Sequence, residues 1–240
     1  MKRQKYSGEN HRRSRLIGGA GEVLNGPFKG MRYPMEESVC SAYFPKIIGS
    51  YEKELWENLE SLLEKQYNSI IDVGCAEGYY AVGLGLRQKE AHIYAYDTDE
   101  LARSMCEKLS QENGLGEKLT IKGELTEQEL SSFPFEGNSL IICDCEGFEK
   151  KLFTPTSIEN LTGSDLIIET HDFLDSEISG RLTALFQKTH NITPINSSSD
   201  LEKVFTYHFS EIGDFNLLER FDVLAEHRPE TMKWLVCEAK

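Results

Sequence analysis

The sequence predicts an α/β fold, a doubly wound and mostly parallel seven-stranded sheet with helices on both faces and an N-terminal cover segment. Three observations predict it. Short apolar runs of strand length recur along the chain, and segments with helical spacing separate them. The runs end on acids or glycines, so that polar groups collect at one edge of the sheet. The first run, Ile70-Ile71, meets Asp72-Val73-Gly74-Cys75-Ala76-Glu77-Gly78 and then a helical pattern, a strand, tight turn and helix N-terminus. Strand alternating with helix requires right-handed crossovers and a sheet covered on both sides, the Rossmann-like arrangement.

Composition narrows the class. The chain has 240 residues and 39% hydrophobic content, enough for a sizeable core. No apolar run approaches the ~20 residues needed to span a bilayer, and Met1-Lys2-Arg3-Gln4-Lys5 has no apolar stretch behind it. A cytoplasmic protein with no membrane partner is the expectation. The net charge of −14 opposes a nucleic-acid partner bound through phosphates. Residues 1–15 run the other way, with six Lys or Arg against Glu9, and read as a solvated basic arm. The six cysteines, Cys40, Cys75, Cys106, Cys143, Cys145 and Cys237, include no C-x-x-C pair and read as reduced thiols. Cys143 and Cys145, two apart on a strand, are expected to face opposite ways.

The elements follow in order. Residues 16–50 are rich in glycine and proline and read as loops, yet carry Leu24, Phe28, Met31, Tyr33, Tyr43 and Phe44, too apolar for a free linker. Ser50 is a plausible N-cap for a helix carrying Leu55, Trp56, Leu59, Leu62 and Leu63 through about Gln66. The predicted division is therefore an arm at 1–15, a cover and helix at 16–66, and the sheet domain at 67–240. Residues 91–96 form a strand ending at Asp97. A helix over 99–113 stops at Asn113-Gly114. Residues 118–122 form a third strand before Gly123-Glu124, followed by a short helix from Thr126. A fourth strand at 139–143 meets Asp144-Cys145-Glu146-Gly147. A brief helix near 155–161 leads to a fifth strand at 165–169, ending at His171. Residues 175–188 and 214–225 are helical, 191–195 is a sixth strand, and 233–238 closes the sheet.

The turn Asp72-x-Gly74-x-x-x-Gly78 resembles the opening motif of class I S-adenosylmethionine-dependent methyltransferases, and differs from the G-x-G-x-x-G of dinucleotide sites. Asp144-Cys145-Glu146-Gly147-Phe148-Glu149 is similar to the D-x-E-G-x-E stretch of the FkbM-type methyltransferase family. Residues 166–171 look like that family's next strand, and Tyr51-Glu52 like its Y-E element. The resemblance covers roughly residues 49–172. It implies S-adenosylmethionine as methyl donor and usually an O-methylation outcome. The donor site it implies comprises Tyr51, Glu52, Asp72, Gly74, Cys75, Glu77, Gly78, Asp97, Thr98, Gly123, Glu124, Leu125 and Asp144. Asp97 would accept hydrogen bonds from the ribose diol, and Gly123-Glu124-Leu125 would flank the adenine. Departures from the family pattern are Cys75-Ala76-Glu77 in the turn and Cys145 in place of valine.

Methyl transfer to a hydroxyl needs two aligned reactants and removal of a proton. The expected catalytic residues are His171, Asp144 and Glu146, with His171 as base because its ordinary pKa lies near working pH. No metal is assigned, although Asp144 with Glu169, His171 or Asp172 could make an oxygen-rich Mg2+ site. The expected partner is a methyl acceptor with a small-molecule or sugar-like hydroxyl. Alternatives are methylation of protein or RNA, a non-catalytic protein that binds the donor, and a nicotinamide oxidoreductase, which the missing third glycine opposes.

Overall fold

The computed structural model describes residues 21–34, 38 and 42–240. The basic arm, residues 16–20, 35–37 and 39–41 of the cover segment, and Cys40 lie outside the described residues. In chain order the elements are α1 (Tyr43–Ile48), α2 (Trp56–Leu63), β1 (Ser69–Val73), α3 (Tyr79–Arg87), β2 (His92–Tyr96), α4 (Glu100–Glu112), β3 (Leu119–Lys122), α5 (Glu127–Ser131) and β4 (Ser139–Cys143). They continue as α6 (Glu149–Leu152), α7 (Pro155–Glu159), β5 (Ser164–Thr170), α8 (Ile178–Phe186), β6 (His190–Asn196), α9 (Asp200–Thr206), α10 (Leu217–Leu224) and β7 (Lys233–Ala239). No helix among the described residues is long and apolar enough to cross a membrane.

These elements form two compact units. One takes the described residues up to Trp56 together with Ser197–Thr231; the other takes Glu57–Asn196 with Met232–Lys240. The units therefore divide at 56/57, 196/197 and 231/232. The segment 197–231 goes with the N-terminal unit, where Glu226 accepts the Glu52 amide and Arg228 pairs with the Glu52 carboxylate.

In the larger unit the sheet order is β3-β2-β1-β4-β5-β7-β6. Strands β1 to β5 pair in parallel, and β7 runs antiparallel to both β5 and β6. Every residue of β1, β4 and β5 is buried, as expected of strands covered on both faces. Ile71, Ile141, Leu166 and Ile168 share one core with Leu182 and Phe186 of α8. Each such side chain contributes roughly 1.5–3 kcal/mol by leaving water. The strand order reverses between β1 and β4, which opens a crevice at their carboxyl ends.

Local chemistry sets the helix ends. Asp99 caps α4 by accepting from the Leu101 amide, and Thr126 caps α5 through the Glu129 amide. Asn216 and Glu219 form a capping box at α10. Two expectations fail in the smaller unit. Residues 43–48, read as loop, are helical because Pro45 sits in the first turn, where its missing N–H costs nothing, and Gly49 closes the helix at φ 82°. Ser50 does not cap the next helix. Glu52 turns left-handed at φ 48°, a 3-10 turn covers Lys53–Leu55, and α2 begins at Trp56. This unit also buries a charged network. Lys203 lies 2.6 Å from Glu226, and Arg228 bridges Glu226 at 2.8 Å and Glu52 at 2.6 Å.

The turn after β1 is fixed by contact with β4. Gly74 has φ 82°, and a Cβ there would overlap the carbonyl oxygen of Asp144. Gly78 has φ 94°, and a Cβ would lie 2.7 Å from Cys106 Sγ and 3.2 Å from the Cys106 backbone. Both positions need glycine because the protein packs against them. Gly74→Ala is expected to cost at least about 2 kcal/mol from its left-handed backbone and backbone clash together. Chemical denaturation would show it as a lowered midpoint, and a midpoint equal to wild type would refute the constraint.

Candidate active site at the carboxyl edge of the sheet

Two clusters meet at the crevice beside β1 and β4. The first surrounds the turn after β1. The Gly74 and Cys75 amides both donate to the Tyr96 carbonyl, at 2.8 and 3.0 Å, so the turn is laced to the end of β2. Asp97, just past β2, accepts from the Ala76 amide at 2.9 Å with Oδ2 and from the Asp99 amide at 2.8 Å with Oδ1. Each oxygen of an ionised carboxylate can accept a further bond, so Asp97 keeps capacity for a diol. Arg103 holds the Asp97 carbonyl at 2.7 Å. The turn's amides are thus largely committed to protein, and its binding capacity rests on Asp97 more than on free N–H groups.

The other expected donor residues fall around this turn or apart from it. Asp72 is buried on β1, and Glu77 is fully buried within the turn. Thr98, Gly123 and Glu124 are exposed and Leu125 is buried. Nothing lies within 4 Å of a Cβ built on Gly123, so the space beside the end of β3 is open. Cys75 hydrogen-bonds Cys106, and this bond, then burial, pushes its thiol well above the ordinary range. Tyr51 and Glu52 belong to the smaller unit, where the Glu52 carboxylate takes Arg228.

The second cluster lies at the ends of β4 and β5. His171 is 3% exposed, with Nδ1 against Glu149 Oε1 at 2.5 Å. Its Nε2 faces Asp144 Oδ1 at 3.4 Å and Glu146 Oε2 at 3.7 Å. Glu149 is fully buried, and the same Oε1 accepts the Gly147 amide at 3.1 Å. Burial works to lower the His171 pKa, but the Glu149 hydrogen bond and the charges of Asp144, Glu149 and Glu146 outweigh it and raise the pKa. Asp144, Glu169 and His171 each offer one ligand atom, and these lie within 4.8 Å of one another. Asp172 is turned away, accepting the Ser179 amide at 2.8 Å and approached by Lys233 at 3.4 Å.

The expected catalytic residues Asp144, Glu146 and His171 come together in the structure. Glu149 joins them as a site residue not expected from the sequence. The signal was present in the acid two residues past Gly147, at the start of α6. The expectation for Cys143 and Cys145 is corrected. Their sulfurs lie 3.6 Å apart, because β4 ends at Cys143 and strand alternation does not reach residue 145. The five described cysteines are all free.

Glu149→Gln is expected to lower the His171 pKa, since the neutral amide removes the charge that favours imidazolium. A raised folded pKa adds stability that is complete below about pH 6.5 and is lost as pH rises through the folded value. The variant should shrink that pH dependence. Titration of the His171 ring protons by NMR checks both statements, and an unchanged midpoint would contradict them.

No family model matches the chain, and no curated protein matches it. Among solved structures, cofactor-bound Rv0187 from MTB aligns with a TM-score of 0.52 at 9% identity, covering 82% of this chain and 84% of that one. A Klebsiella pneumoniae protein described as an O-methyltransferase aligns with a TM-score of 0.50 at 10% identity, covering 98% of this chain and 91% of that one. Identity this low carries the architecture alone. The chain has the seven-stranded, mostly parallel, Rossmann-like fold found in class I S-adenosylmethionine-dependent methyltransferases.

Proposed function

We propose that the protein is an S-adenosylmethionine-dependent methyltransferase of the FkbM type acting on a hydroxyl of a small molecule. The observation that carries this is Asp97, a half-buried carboxylate tied to the turn after β1 and placed at the end of the next strand. Two features of the crevice support this reading. Asp97 retains acceptor capacity for a ribose diol, and open space flanks Gly123 where an adenine would lie. Asp72, Gly74, Cys75, Glu77 and Gly78 would surround the methionine part, with Thr98, Glu124 and Leu125 toward the base.

When bound, S-adenosylmethionine supplies an electrophilic methyl group on a sulfonium. The chain aligns the two reactants, which can contribute ~7–11 kcal/mol. The acceptor hydroxyl sits toward β4 and β5, where Asp144, Glu146 and His171 form the only acid and imidazole cluster that this reading uses. That cluster takes up the proton. Glu149 acts through His171 as a positioning residue, holding Nδ1 so that Nε2 faces the acceptor side. The acidic composition favours a small-molecule acceptor over RNA.

Asp97→Ala should weaken S-adenosylhomocysteine binding by roughly tenfold to hundredfold, the loss of hydrogen bonds to a charged group. Calorimetry measures this directly, with a thermal melt to confirm folding. Wild-type affinity in the folded variant would sink the donor assignment. His171→Ala should bind S-adenosylhomocysteine within about twofold of wild type while single-turnover methyl transfer falls by about 100-fold or more. Undiminished transfer would remove His171 from the reaction.

A further inference from the structure

We infer that Asp144, Glu169 and His171 form a binding site for one divalent cation of the Mg2+ or Mn2+ kind. Three donors from adjacent strand ends converge there, with all ligand atoms within 4.8 Å of one another. A cation about 2.1 Å from each donor would hold cis donors roughly 3 Å apart and trans donors roughly 4.2 Å apart. Asp144 Oδ1 and His171 Nε2, at 3.4 Å, already stand near the cis separation.

The hydrogen bonds explain why these atoms ask for a cation. Glu149, fully buried, binds His171 at Nδ1. With the ring proton on Nδ1 and directed to that carboxylate, a neutral imidazole presents its lone pair from Nε2 toward Asp144. Asp144 Oδ1 is itself a buried atom with no hydrogen-bond partner. Lone pairs of an imidazole and of carboxylates facing one another repel unless a proton or a metal ion stands between them. A carboxylate holding the far nitrogen of a histidine is also the usual outer support of a metal-bound imidazole. Two carboxylates and one imidazole suit a cation that accepts oxygen ligands and keeps some water.

The location of the ion stands on these contacts; what it would do rests on the methyltransferase reading. An alcohol bound to the ion has a lowered pKa. It would lose its proton to Glu146, the exposed carboxylate 3.7 Å from Nε2. The resulting alkoxide oxygen would form the new bond to the methyl carbon as the carbon–sulfur bond breaks, leaving S-adenosylhomocysteine. His171 then serves as ligand and Glu146 as proton acceptor.

The test uses the full chain, dialysed against EDTA and titrated with Mn2+, with free ion counted by electron paramagnetic resonance. One Mn2+ per chain is expected, together with a higher melting temperature. Asp144→Asn and Glu169→Gln should each weaken binding by at least about tenfold. Asp144 is 40% exposed, so its variant should fold, and circular dichroism confirms this for both. No stoichiometric uptake below about 1 mM, or uptake unchanged in folded Asp144→Asn, overturns the site. S-adenosylhomocysteine calorimetry in EDTA separates the two readings. Nucleoside binding without Mn2+ uptake overturns the cation alone, and Mn2+ uptake without nucleoside binding overturns the donor alone.

Discussion

The backbone of residue 74 rests against the carbonyl oxygen of Asp144, with no room between them for a side chain. This contact joins the two halves of the crevice. On one side it sets the turn that reaches Asp97; on the other it sets the start of the loop that carries Asp144, Glu146 and Glu149. The Asp144 amide donates to the Val73 carbonyl at 2.8 Å, so the two strand ends are stitched one residue beyond the regular ladder. A donor seat and an acid cluster on separate strands can act on one reaction only if their separation is held to a fraction of an ångström. Backbone-to-backbone contact is stiffer than any side-chain tether, and it asks for glycine at 74.

Asp97 and Glu149 play parallel parts in the two halves. Each is a carboxylate that binds the amide of its own or a neighbouring loop and also faces the functional space. Asp97 takes the Ala76 and Asp99 amides, and Glu149 takes the Gly147 amide with the same oxygen that meets His171. A buried carboxylate is costly without such partners. Glu149 therefore shapes the loop and orients the imidazole by one hydrogen-bonded arrangement, which explains how a fully buried acid can sit beside β5 at all.

Much of this was legible in the sequence. The alternation of apolar runs and helical spacing gave the strands, and the residues at their ends gave Asp97, Asp144, Glu146 and His171. Local capping chemistry was also readable, as Asn113-Gly114 at the end of α4 shows. What was not legible depended on contacts between distant residues. The need for glycine at 74 and 78 comes from Asp144 and Cys106, which only the fold brings against the turn. The helix at 43–48 was masked by Pro45, whose meaning depends on its place in the first turn. Glu149 closes the D-x-E-G-x-E stretch in the sequence, but its contact with His171 exists only once β5 lies beside β4.

The same two loops also carry local strain. Four non-glycine residues have positive φ among the described residues, and Ala76 and Glu146 lie one in each loop. Such a conformation costs about 1–3 kcal/mol per residue and persists only where its surroundings over-determine it. Here the surroundings are identifiable. Ala76 is held by its amide bond to Asp97, and Glu146 precedes the Gly147 amide that Glu149 binds. Removing either carboxylate would release the strained residue beside it as well as the polar contact, so each loop should relax away from the crevice when its anchor is lost. The strain thus makes the positions of Asp97 and Glu149 structural requirements of the site and not merely additions to its charge, and it ties the donor turn and the His171 loop to the same kind of hydrogen-bonded support.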